Sequence, residues 1–99
     1  MGKRMKNYQD ELMVITMEEC GELVQACSKA IRKNEFYDNT KLIEEAGDVY
    51  CMLNLLIEYD MVSLTDLERQ SEVKRAKLAK WSELVVDNED YKRMRGNVR

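Results

Sequence analysis

Glu18-Glu19-Cys20-Gly21-Glu22, followed after residues 23–43 by Glu44-Glu45-Ala46-Gly47-Asp48, decides how this 99-residue chain is read. The same pattern of two glutamates, a variable residue, a glycine and an acid occurs twice. With about 3.6 residues per helical turn, positions three or four apart share a face, so Glu19 with Glu22 and Glu45 with Asp48 each make a one-sided carboxylate pair. Two such helices lying side by side bring four acids together.

Each pair interrupts an apolar stripe. One stripe runs Leu12, Ile15, Glu19, Glu22, Ala26, Ala30, and the other Glu45, Asp48, Met52, Leu55, Tyr59. An acid that faces a core needs a proton, a basic partner or a cation, because an uncompensated buried charge costs several kcal/mol. The chain has no His, and four acids repel one another, so a divalent ion is the economical partner. An all-oxygen donor set suits a hard cation, Mg²⁺ first and Mn²⁺ second, in preference to zinc. The plainer reading of a glutamate pair at this spacing is a solvated face with i,i+4 partners. Its repetition inside two apolar stripes favours the cation. Gly21 and Gly47 add to this, since a glycine inside a helix costs roughly 1 kcal/mol against alanine and points to close backbones or room for a ligand.

The residues Glu18-Glu19-x-x-Glu22 and, further on, Glu45-x-x-Asp48 resemble the E-E-x-x-E…E-x-x-D signature of the all-α nucleoside triphosphate pyrophosphohydrolases, the MazG-like superfamily. The resemblance covers roughly the first two-thirds of the chain directly and the later helix more loosely. It implies that Glu19, Glu22, Glu45 and Asp48 hold magnesium. Glu18 would then be an outer partner of a ligand or the base for the attacking water. The implied reaction is hydrolysis of an NTP or dNTP between the α and β phosphates, releasing the monophosphate and pyrophosphate.

Composition sets the frame. Hydrophobic content of 44% and charged content of 35%, no Pro and only 4 Gly describe a helix-rich soluble domain. One domain over residues 1–99 is expected, with 1–7 and 87–99 flexible or arm-like. A core of this size is marginal alone. Val49 to Ile57 is apolar almost all round, which calls for further subunits. The expected fold is therefore all-α, an antiparallel bundle of three to four helices completed as a homodimer or homotetramer. The net charge of −3 argues against nucleic-acid binding by a basic surface. No apolar run crosses a membrane and no signal-peptide core is present. Cys20, Cys27 and Cys51 form no C-x-x-C pair and read as reduced, packed thiols of a cytoplasmic protein.

Helix 1 is expected from Tyr8–Asp10, with Asp10 as a cap, to Lys33; helix 2 from a cap at Asn39 or Thr40 to Tyr59; and helix 3 from a Ser63 and Asp66 capping arrangement to Leu84. Asn54 reads as a structural amide. Lys29 continues the face of Glu22, and Lys41 stands one turn before Glu45. Lys74 and Lys77 fall within the stripe of Leu67, Leu78, Trp81 and Leu84, where Trp81 reads as a core anchor. Lys29, Lys74 and Lys77 each have two level readings, charge balance against the carboxylates or a contact to substrate phosphates, while Lys41 reads as meeting a metal-bound phosphate or as a first-turn solvent lysine.

With no His, base duty falls on Glu18 or Glu19. No glycine-rich P-loop exists, which excludes a P-loop kinase or motor. A ferritin-like di-iron bundle needs Glu-x-x-His and is excluded with it. The remaining alternative is a non-catalytic helical oligomerisation module.

Overall fold

The computed structural model of the chain describes residues 7–85. Three helices form among them and no strand: α1 (Tyr8–Lys33), α2 (Thr40–Glu58) and α3 (Leu64–Trp81). The all-α expectation holds for these residues. The chain divides into two compact units, Met1–Val62 with α1 and α2, and Ser63–Arg99 with α3. The arm-like segments expected at 1–6 and 87–99 lie outside the described residues. None of the described helices is long and apolar enough to cross a membrane.

The first unit is a helical hairpin. Asn7, expected within the arm, caps α1 instead: its side-chain oxygen accepts from the Asp10 N–H at 3.1 Å. Asp10, expected as the cap, lies inside the first turn, where its charge suits the positive helix end. The helix stops at Lys33 because Asn34 turns left-handed, with φ 54°. The Asn34 N–H donates to Ile31 O and the Glu35 N–H to Ala30 O, a Schellman closure in a residue type that tolerates this conformation. Asn39 occupies the cap position of α2 without a side-chain bond, and the Asp38 carboxylate accepts from the Thr40 N–H at 3.1 Å in its place. Hydrogen bonding from the Thr40 side chain, and then from its N–H, holds the Asp38 carboxyl below its ordinary value. At the far end Asp60 is again left-handed, and the Met61 N–H returns to Leu56 O at 2.9 Å.

The helices run antiparallel, with the Tyr8 ring 5.9 Å from the Tyr59 ring. Leu12, Met52 and Leu56 are buried together, and Ile15, Leu55, Met61 and Val62 pack on them. At about 1.5–3 kcal/mol for each large side chain buried, this cluster is what closes the hairpin. Its reach is short. Tyr50 stays 67% exposed and Leu53 38%, so within the hairpin the all-round apolar segment of α2 is covered on one side. Cys20, Cys27 and Cys51 are free and exposed, not packed as expected, because each points away from the one interhelical seam.

The second unit starts as expected: the Ser63 hydroxyl accepts from the Asp66 N–H at 3.0 Å. Its helix ends at Trp81, earlier than Leu84, where the Ser82 N–H bonds to Leu78 O at 2.8 Å. No residue of α3 is buried, and Trp81, expected as a core anchor, is 68% exposed. The physical reason is spacing, because the stripe from Leu67 to Leu78 is interrupted by Gln70 and Lys74 for two turns.

Candidate metal centre and adjoining cavity

The hairpin carries the two acid pairs on helices of opposite direction and brings them level. One carboxylate oxygen each from Glu19, Glu45 and Asp48 lies within 4.8 Å of the others. Glu45 is the buried charged residue among those described, at 4% exposure. It sits where the α2 stripe turns inward, one turn before Asp48 and two before Met52. Glu19 is half-buried and Asp48 exposed, so the cluster opens at its Asp48 side.

Three like charges in so small a space are costly, and the Glu19 carboxyl records it. Burial pushes its pKa up first, and the fields of Asp48, Glu45, Glu22 and Glu18 push further in the same direction. A compensating cation in contact with the cluster is Lys41, whose Nζ stands 3.0 Å from Glu45 and 3.5 Å from Glu44. The hydrogen bond to Glu45, with the fields of Glu44 and Glu45, raises the Lys41 pKa above the usual lysine value. One ammonium against three carboxylates leaves the cluster negative. The donor set is all oxygen, converges from two rigid helices and lacks charge balance, and in each respect it fits a hard divalent cation.

The other expected residues distribute around this cluster. Glu22 is outside the converging set and lines an adjoining cavity of about 130 Å³ together with Glu45. Lys29 from α1 and Lys41 from α2 both line this cavity, so two of the four expected lysines adjoin the acid site. Phe36 and Leu42 supply an apolar surface there. Glu18 is exposed on α1 beside Glu19. Lys74 and Lys77 belong to α3 in the second unit; both are exposed, and the Lys74 ammonium lies 5.5 Å from the Trp81 ring centre, a cation–π contact.

Two features escaped the sequence. Phe36 belongs to the loop between α1 and α2, where no periodicity marks a cavity residue. Gly21 and Gly47, expected to mark close backbones or ligand room, have nothing within 4 Å of the place a Cβ would take. Among the described residues no crowding accounts for either glycine. Comparison of the chain with known protein families, with curated proteins and with solved structures finds no match. The likeness to the MazG-like superfamily thus rests on the motif residues themselves.

Proposed function

We propose that the chain is a Mg²⁺-dependent nucleotide pyrophosphohydrolase that cleaves an NTP or dNTP between the α and β phosphates, giving NMP or dNMP and pyrophosphate. The observation that carries this reading is the convergence of Glu19, Glu45 and Asp48 within 4.8 Å around a carboxylate that is almost fully buried. Surface glutamates that merely dissolve a helix spread apart toward water. Here the helix pairing costs repulsion and is retained.

Glu19, Glu45 and Asp48 are the residues that would hold the ion, with Glu22 at the cavity edge as a further ligand. When bound, Mg²⁺ supplies charge neutralisation to phosphate oxygens and acidity to a coordinated water. The chain's own part is positioning and proton transfer. Glu18 or Glu19 takes the proton of the attacking water, the role left to a carboxylate in a chain without histidine. Lys29 and Lys41 on the cavity wall meet the charge of the triphosphate, and Phe36 with Leu42 offers an apolar face to the nucleoside. This reading does not draw on Lys74 or Lys77. In it the hairpin is part of a helical bundle completed as a homodimer or homotetramer and works in the cytoplasm on free nucleotides.

The test is direct. Purified chain incubated with a panel of NTPs and dNTPs releases pyrophosphate in the presence of Mg²⁺, and EDTA stops it. The exposed apolar side chains of α1 and α2 favour one competing reading, a helical interaction module without catalysis. That module releases no pyrophosphate from any nucleotide.

A further inference from the structure

Lys41 is placed against the preferences of its own helix. It is the second residue of α2, where the helix end is positive and repels a cation, and that first turn contains no acid. The acid just before it, Asp38, is engaged by Thr40. A lysine one turn ahead of a glutamate is also the weaker order of an i,i+4 pair. Helix stability therefore does not account for the residue, and its reach does. The Lys41 Nζ lies 3.0 Å from the Glu45 carboxylate, joining a side chain 62% exposed to one only 5% exposed. A cation is thus laid on the most buried member of the converging Glu19, Glu45 and Asp48 set.

The grip is loose. An ammonium is a point charge on a flexible four-carbon stem, and the exposed Glu44 carboxylate at 3.5 Å is a second claimant on it. Lasting neutralisation of a buried carboxylate calls for a better satisfied geometry than one shared ammonium. Lys41 also lines the cavity that Glu22 and Lys29 line, so its stem can carry the charge from Glu45 into that space without leaving the site.

We infer that Lys41 is a stand-in for the divalent cation: it holds Glu45 in the metal-free chain, yields that carboxylate to the ion, and turns its released ammonium to phosphates in the cavity. The inference rests on the metal-dependent reading above and adds an order of events to it. Before nucleotide arrives, Lys41 and the ion compete for one carboxylate, so the lysine weakens ion binding. Once a phosphate chain is present the displaced ammonium has an anion to meet, and the same lysine strengthens the complex. A phosphate chain that arrives without an ion finds Lys41 engaged and the cluster negative.

Titration of Mn²⁺ into the full chain at about pH 8, where the carboxylates are ionised, reads the competition by electron paramagnetic resonance with no nucleotide present. Lys41→Gln binds Mn²⁺ about tenfold more tightly than wild type, the worth of one charge pair at 3.0 Å in a water-like dielectric. Lys41→Arg keeps the charge and does not tighten. Calorimetric binding of inorganic triphosphate in saturating Mg²⁺ moves the other way, weakened about tenfold by Lys41→Gln. A merely structural role would weaken both. Mn²⁺ affinity of Lys41→Gln equal to or below that of wild type overturns the inference, as does triphosphate binding that the variant leaves unchanged. Wild type that binds no Mn²⁺ removes the metal reading itself, and the exchange with it. Acylation of Lys41 in wild type, followed by mass spectrometry, needs no variant to fold: it is slow in EDTA, faster with Mg²⁺, and slow again with Mg²⁺ and triphosphate together. A rate that Mg²⁺ does not raise contradicts the exchange.

Discussion

Glu45→Gln separates a carboxylate kept for a cation from one kept for the fold. Glu45 has two carboxylate neighbours within 4.8 Å and one ammonium at 3.0 Å, so in the metal-free chain the two repulsions are offset in large part but not fully. Two unit charges at that separation interact by about 0.9 kcal/mol in water and about 3.5 kcal/mol at an effective dielectric of 20. Glutamine keeps the shape and removes the charge. The partner it releases, Lys41, is 62% exposed, so no buried charge is stranded. With Asp48 open to water the high dielectric governs: two repulsions of about 0.9 kcal/mol stand against an attraction of about 1.4 kcal/mol at 3.0 Å, so the variant gains about 0.4 kcal/mol in EDTA, a rise of roughly 1–3 °C in Tm for a domain of this size. Saturating Mg²⁺ reverses the order. Wild type gains about 2.7 kcal/mol when the ion is at a hundred times its Kd, and the variant, one ligand short, gains much less. Thermal melts followed by circular dichroism, with EDTA and with Mg²⁺, read both halves. A variant less stable than wild type in EDTA, or an equal response of both proteins to Mg²⁺, refutes the reasoning.

Other expectations follow from the same geometry. The Glu19 carboxyl is held above its ordinary value in the folded chain, so its protonated form favours the fold; that advantage is complete below the unfolded glutamate value and is lost as pH rises through the folded one. In EDTA the Tm therefore climbs as pH falls from neutral into the carboxylate range, and Mg²⁺ flattens the climb; a Tm that falls over that range contradicts it. Asp38, held low by Thr40, acts with the opposite sign in a more acid window, where its stabilisation is lost as pH drops through its depressed value. Gly21 lies in the interior of α1 with open space at its Cβ position, so Gly21→Ala adds about 1 kcal/mol and roughly 4–8 °C in Tm; a lower Tm would reveal a close neighbour. Asp48→Ala lowers pyrophosphate release at least ~100-fold, the scale of losing one electrostatic group at a reacting phosphate, with helix content unchanged; normal turnover in this variant removes Asp48 from the site.

Much of the fold was legible because it was written in period and caps. The 3.6-residue stripes place α1 and α2, and Ser63 with Asp66 marks the start of α3. The acids were legible for the same reason: Glu19, Glu45 and Asp48 occupy stripe positions, and a hairpin of two long helices has few ways to keep them apart. What was not legible depends on contacts across the chain. Asn7 outcompetes Asp10 as a cap through one local bond that composition does not rank. Trp81 and the three cysteines read as interior from residue type alone; the cysteines are exposed because the α1–α2 seam reaches only one side of those two helices, and Trp81 because the apolar stripe of α3 is interrupted by Gln70 and Lys74. Lys41 read as a phosphate contact or a first-turn solvent lysine, and its 3.0 Å contact to Glu45 beside the cavity is a pairing that neither reading named.

Titration with Mn²⁺, followed by electron paramagnetic resonance, tests the cation site with least intervening inference. Free Mn²⁺ gives a sharp signal that is lost on binding. The convergence of Glu19, Glu45 and Asp48 predicts stoichiometric loss of that signal with the wild-type chain, its return on adding excess Mg²⁺, and little loss with Asp48→Asn. Equal loss with both proteins, or none with wild type, contradicts it.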